Sequence, residues 1–200
     1  MSQSRLMIIG ALLLYFLVSP ARAQEESKTQ STPAPASTAQ AAAPQPPAKP
    51  ADVASPDAIL AATYDVISGP AAQPRDWDRF RSLFVPGARL IPTVPKKTGS
   101  GYDVRIITPD EYAKHADAYF QKNGFAEREI ARKAERYGNI VQVFSTYESR
   151  HDGKDPQPFA RGINSFQLFY DGTRWWVVTI YWQEETPHNP LPKEFLPAGK

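Results

Sequence analysis

The chain has 200 residues, a formal net charge of +2, 20 prolines and no cysteine. That length fits one or two domains. Without a thiol there is no disulfide, no thiolate nucleophile and no lipidated cysteine, and three scattered histidines with no cysteine do not make a metal site.

Read in order, the chain opens with Arg5 in a short basic start, a run over 6–18 free of charge, and Ala21-Arg22-Ala23 as a small-x-small site. This is the pattern of a secretory signal peptide over residues 1–23, cut between Ala23 and Gln24. The apolar run is shorter than the roughly 20 residues a membrane span needs, so no stable membrane insertion is expected after cleavage. The expected location is the periplasm or the extracellular space. Removing 1–23 takes away Arg5 and Arg22, so the basic count falls from 23 to 21 (23 − 2) against 21 acids. A balanced surface gives no phosphate-neutralising drive, which excludes nucleic acid as a partner class. Residues 24–54 are rich in Ala, Pro, Gln, Ser and Thr and hold no large apolar side chain before Val53. They read as a disordered linker.

The folded domain is expected over residues 55–192, with 193–200 as a tail. Ser55-Pro56-Asp57 starts a helix whose core face holds Leu60, Tyr64 and Ile67. Asp76 caps a second, shorter helix with Trp77, Phe80, Leu83 and Phe84 inward. A turn at Pro86-Gly87 leads into a short strand over 88–94, where Pro92 implies an edge or a bulge. A second strand over 102–107 precedes Thr108-Pro109-Asp110-Glu111, a capping-box start for a helix to about Lys122. Residues 125–137 read as a strand that places Arg128, Ile130 and Arg132 on one face and Glu127 and Glu129 on the other. A further strand spans 140–149. The stretch 158–182, PFARGINSFQLFYDGTRWWVVTIYW, forms two long arms around an Asp171-Gly172 turn. Alternation places Trp176, Val178, Ile180 and Trp182 on one face of its second arm. Trp175, Val177, Thr179 and Tyr181 then lie on the other, an apolar set that predicts a sheet-to-sheet homodimer. The tail, with Phe195 and Leu196, competes to cover that face.

This order of elements, with WDRFRSLF (77–84), PGARL (86–90) and DGTRWW (171–176), resembles the nuclear-transport-factor-2-like superfamily, most of all its polyketide-cyclase-like and steroid-isomerase-like branch. The resemblance covers about 55–185. It implies an α+β, cone-shaped domain in which a strongly curved, mostly antiparallel sheet wraps the N-terminal helices around an apolar cavity. Homodimers are frequent in the superfamily. Carried over from its steroid isomerases, the catalytic tyrosine falls on Tyr64, the oxyanion-side acid near Asn164 and the base on Pro92. Proline cannot move a proton, and an asparagine amide donates without titrating. The isomerase set is therefore incomplete.

The resulting expectation is a non-catalytic domain that binds a small apolar ligand or a protein partner, without cofactor or metal. Its binding residues are Tyr64, His115, Asn164, Phe166 and Trp182. The alternative is an isomerase or hydro-lyase with an atypical site around Tyr64, His115 and Asn164. Tyr64 also reads as an ordinary helix-face aromatic, and His115 as a solvated or core-capping side chain. The alternating Arg128, Arg132 and Arg136 mark either an anion site or a salt-bridged outer face.

Overall fold

The structure, a computed structural model, describes residues 45–197, so the signal-peptide assignment and most of the linker lie outside the described residues. Helix α1 (Pro56–Ile67) starts as its sequence dictates, with the Ser55 hydroxyl accepting from the Ala58 amide at 3.1 Å. The fold takes in more than the composition suggested. Residues Pro50–Val53 form a 3-10 turn that buries Val53, and the Asp52 carboxylate accepts from Arg79 Nε at 2.7 Å.

The carbonyls at the C-terminal end of α1 are gathered by one guanidinium. Arg75 is 6% exposed and donates from Nε to the Ile67 carbonyl at 2.9 Å and from Nη2 to that of Gly69 at 2.5 Å. A cation at the negative end of a helix, bonded to carbonyls that lack helical partners, is favourable on both counts. The close approach also explains Gly69, because a Cβ there would stand 2.9 Å from Arg75 Nη1.

Helix α2 (Trp77–Ser82) is capped by Asp76, and helix α3 (Pro109–Asn123) carries the predicted capping box of Thr108 and Glu111. The strands are β1 (Phe84–Pro95), β2 (Tyr102–Val104), β3 (Ala126–Tyr137), β4 (Ile140–Arg150), β5 (Ala160–Tyr170) and β6 (Trp175–Glu184). They form one sheet in the order β2-β1-β6-β5-β4-β3, antiparallel except where β1 runs parallel to β6. Strand β1 absorbs the Pro86-Gly87 turn as an irregularity between Phe84 and Arg89, with Gly87 at φ +79°. The predicted second strand shortens to β2 plus an isolated bridge from Ile107 to Leu90. Pro92 lies between that bridge and the β1–β2 ladder, where its carbonyl accepts from the Arg105 amide at 3.2 Å but its missing N–H cannot return the bond, which interrupts the pairing.

Two bulges correct the sequence-based faces. In β3 the register shifts between Glu129 and Ala131, so Ile130 is extra. In β6 it shifts beyond the Leu168–Val177 pair, so Val178 is extra before Thr179 meets Gln167. Each extra residue reverses the inward–outward alternation past it. Trp175 (4% exposed) and Val177 (0%) therefore point into the core with Ile180, and the outward apolar set proposed for a dimer does not exist as drawn. The arginines of β3 likewise part company. Arg128 faces outward to Glu148, whereas Arg132 bonds Asp57 of α1 and Arg136 stands 5.2 Å from the Trp175 ring centroid.

The turn between β5 and β6 is centred on Gly172-Thr173 rather than Asp171-Gly172. The Asp171 amide donates to the Arg174 carbonyl, and Gly172 at φ +101° holds the first central position. The Asp171 carboxylate accepts from the Thr173 and Arg174 amides and from Trp176 Nε1 at 2.6 Å. After β6 the chain folds back over the outer face. The Thr146 hydroxyl donates to the Phe195 carbonyl at 2.6 Å, and the Phe195 ring lies 5.7 Å from that of Phe144.

The core sits between the concave face of the sheet and α1, α2 and α3, with Leu60, Phe80, Phe84 and Phe166 among its closed-off side chains. This is the cone-shaped α+β architecture that the resemblance implies. No described helix is long and apolar enough to cross a membrane.

At Gly162 a Cβ would stand 2.3 Å from the Gln183 carbonyl oxygen and 2.7 Å from the Tyr147 hydroxyl, whereas at Gly153 it would meet only Ala126 Cβ at 3.8 Å. Gly162→Ala is expected to cost about 1–3 kcal/mol in urea unfolding, and Gly153→Ala under about 0.5 kcal/mol. Equal effects would show that the β4–β5–β6 packing is not as described.

Candidate functional site

The 3.6-residue period of α1 points Tyr64 at the concave face of the sheet, where its ring meets Phe166 at 6.0 Å. Strand β4 brings Ser145 and Ser149 to the same face, β5 brings Asn164, and the bulged β3 brings Glu127 and Glu129. The Tyr64 and Ser145 hydroxyls are 2.7 Å apart, and Asn164 Nδ2 lies 3.1 Å from the Tyr64 hydroxyl and 3.3 Å from Glu127 Oε1. Ser149 donates to Glu127 Oε2 at 2.7 Å, and Ser145 donates to Glu129, which Arg132 holds at 2.6 Å.

The protons in this cluster can be assigned one by one. Ser145 gives its only proton to Glu129, so the Tyr64 proton goes to Ser145. Tyr64 then accepts from Asn164, whose amide spends its two N–H groups on Tyr64 and Glu127. A continuous chain of bonds results, from Asp57 through Arg132, Glu129, Ser145, Tyr64 and Asn164 to Glu127 and Ser149. It stitches α1 to three strands.

Glu127 is the titrating member. As a residue it is half-buried, but its carboxyl is enclosed among Ser149, Asn164 and the α1 face. Burial pushes its pKa up to about 7, against the pull of the Ser149 and Asn164 hydrogen bonds. Burial is also the first cause holding the Tyr64 and Tyr112 hydroxyls above their ordinary range, with the charge of Glu127 second. A pocket of about 230 Å³ opens beside Glu127, lined also by Ser68, Ala126, Arg128, Arg150 and Gly153. It is smaller than the roughly 300 Å³ at which drug-sized sites begin.

Four of the five expected binding residues gather here. Tyr64, Asn164 and Phe166 are in mutual reach. Trp182 stands opposite Asn164 on the next strand, with its ring edge-on to Tyr112 at 6.4 Å. His115 lies one turn beyond Glu111 on α3, whose carboxyl it helps to hold low after the bonds from Thr108. In the described interior Tyr64, Phe166 and Ile59 are buried side chains of the core cluster. Among the described residues no group of three His, Asp or Glu side chains could hold a metal ion. Glu127 escaped the sequence reading because strict alternation set it apart from an arginine row. The pair Ser145 and Ser149, small hydroxyls on one face of a buried strand, was the signal that a polar partner lay across from them.

No protein-family model matches the chain, and no curated protein matches it. Solved structures with a similar chain path include a nuclear-transport-factor-2-like protein of unknown function from Shewanella baltica. It is 13% identical, with 64% of this chain covering 89% of that one at a TM-score of 0.43. A cystatin-like-fold protein from Nostoc punctiforme is 10% identical over 67% of this chain and 90% of its own, at 0.48. A candidate ketosteroid isomerase from Shewanella frigidimarina is 16% identical over 54% and 81%, at 0.37.

Because the folded-state pKa of Glu127 is raised, the stability it confers is present below the unfolded value near 4.5 and lost as pH rises through about 7. Glu127→Gln is expected to remove that component. The variant should gain on the wild type by on the order of 2 kcal/mol between pH 4.5 and pH 8 in paired urea titrations. The difference between the two curves isolates Glu127 from Asp52 and Glu148, whose lowered pKa values act in the opposite sense. A difference that stays flat with pH would place the carboxyl in solvent.

Proposed function

We propose that this nuclear-transport-factor-2-like chain is an exported, non-catalytic binding domain whose small ligand enters beside Glu127. The observation that supports this reading is the closed proton assignment at the cone floor. The Tyr64 proton and both Asn164 amide protons are committed within the protein, so neither group is left to donate to a substrate oxyanion. Pro92, which takes the place of the isomerase base, is paired opposite Trp182 in the sheet and has no proton to exchange.

Tyr64, Phe166 and Ile59 are buried in the interior where the resemblance implies an apolar cavity, and the pocket beside Glu127 has arginine, glutamate and serine in its lining. The ligand is therefore proposed to be small and partly polar. Export is inferred from the amino-terminal pattern, and the Ala/Pro-rich linker expected from the sequence would then space the domain from a surface. The homodimer expected from sequence would need a different outward surface, since Trp175 and Val177 are core residues.

A second reading is favoured by Glu127 itself. A carboxyl with a pKa of about 7 beside a pocket is what proton transfer at neutral pH requires. In that case Glu127 is the acid–base group of an isomerase or hydro-lyase, with the Tyr64–Asn164 pair rearranging to meet the substrate oxygen.

Native mass spectrometry of the purified protein separates the two. A retained small molecule, with Glu127→Gln changing its occupancy and no turnover detected, supports the binding domain. Consumption of the carried molecule that Glu127→Gln abolishes, by about 100-fold or more, supports the enzyme. Amino-terminal sequencing of protein from the native host should begin at Gln24, and an intact Met1 would overturn export.

A further inference from the structure

The strand registers place four large side chains in one line across the outer face of the sheet. Tyr137 of β3 stands opposite Ile140 of β4, Ile140 opposite Phe169 of β5, and Phe169 opposite Trp176 of β6. Residues directly opposite one another project to the same face. The line is open, with Tyr137 84% exposed, Ile140 58% and Phe169 38%. At neighbouring-strand spacings of about 4.8 Å, four side chains extend over about 14 Å. The next outward position along three of these strands is polar and exposed: Glu135, Gln142 and Gln167.

We propose that this line is a docking platform for a neutral, extended polysaccharide strand. A pyranose ring has a C–H face that packs on aromatic and aliphatic surfaces, and a rim of hydroxyls that seeks hydrogen bonds in the ring plane. An apolar line flanked by two carboxamides and a carboxylate supplies both, side by side and along one direction. Fixation of the platform fits such a role. Trp176 is held by its Nε1 bond to Asp171 and by the Arg174 guanidinium 3.6 Å from its ring centroid, and every backbone in the line is a paired strand. A surface ordered beforehand loses little entropy when it binds.

Other occupants fit less well. A second copy needs about 800 Å² and 20–30 residues per partner. The C-terminal segment, with Phe195 on Phe144 and Lys133 Nζ 4.5 Å from the Phe195 ring centroid, occupies the next stretch of the same face. Beyond that segment the large apolar side chains left exposed on this face of β3 to β6 are the row of four and Tyr181, 44% exposed, far fewer than such an interface uses. A proline-rich peptide is recognised in an aromatic-lined groove, whereas this line lies on an open sheet and its indole N–H is already used by Asp171. A polyanion would meet Glu135 in the neighbouring row.

The test is co-sedimentation of the purified full chain with microcrystalline cellulose, insoluble xylan and chitin, at low and high salt. Retention on at least one of them is expected, unweakened by salt. Tyr137→Ala and Phe169→Ala should each reduce it about tenfold, while Tyr102→Ala, exposed on β2 at a distance along the sheet, should leave it unchanged. Tyr137 packs too little to matter for folding, so its variant reads binding alone. Absence of retention on all three overturns the proposal, as does retention indifferent to both substitutions. Light scattering that gives a dimer dispersed by Tyr137→Ala would assign the line to a second copy. A shift in tryptophan fluorescence with a proline-rich peptide, without polysaccharide binding, would assign it to a peptide. Either result also overturns the proposal.

Discussion

Strand alternation has period two, and a single extra residue reverses every side chain beyond it. Two such residues, Ile130 in β3 and Val178 in β6, decide which chemistry this protein puts inside and which it shows outside. The bulge in β6 lets Trp175 and Val177 share the core with Ile180 and Trp182, and it leaves Trp176 and Tyr181 on the outer face. The bulge in β3 lets Glu127 and Glu129 share the concave side with Arg132 and Arg136. Bulges also bend and twist the strands that carry them, so the same two residues help close the sheet around α1. Face assignment and curvature are thus one constraint.

The polar chain on the concave face depends on that constraint. With β3 in unbroken alternation, Arg132 could not share a face with Glu129, and the acid would lose the guanidinium that holds it. Each bond in the chain is modest, about 1 kcal/mol net, but an enclosed donor or acceptor left unpaired costs about 1–3 kcal/mol. The cluster is therefore stable only as a whole. That whole runs from α1 through β4 and β5 to β3 and fixes the helix against the sheet at several points. Glu127 is the exception within it. Its side-chain hydrogen-bond partners, Ser149 and Asn164, are neutral, and burial raises its pKa against their pull. A structural cluster thereby contains one group that responds to neutral pH.

The outer face divides in two for a related reason. The segment after β6 returns across the sheet and places Phe195 against Phe144, with the Thr146 hydroxyl pinning its backbone. The tail thus covers Phe144 and Thr146 of β4 and Lys133 of β3, not the β6 face that the sequence reading set it to compete for. Beyond its reach, the row from Tyr137 to Trp176 stays open.

Much of this was legible in the sequence because it depends on short-range chemistry. The caps at Ser55, Asp76 and Thr108, the strand character of Ala126–Tyr137 and the hairpin after β5 follow from residues within a few positions of one another, while the α+β cone is what the resemblance implied. The helix period sends Tyr64 inward and the strand period puts Asn164 and Phe166 on one face of β5, whereas Trp182 reaches that side only because Val178 is extra. Other features required the tertiary structure. The bulges, the core position of Trp175, the burial of Glu127 and the outer row of Tyr137, Ile140, Phe169 and Trp176 depend on how strands pair, and pairing joins residues far apart in the chain. Val178 looks like any other strand residue until β5 offers one partner for two positions. Glu127 looks like a surface acid until Ser149, 22 residues away, donates to it. Local sequence determined where each element begins and which side chains it carries; the register between elements decided which of those side chains meet.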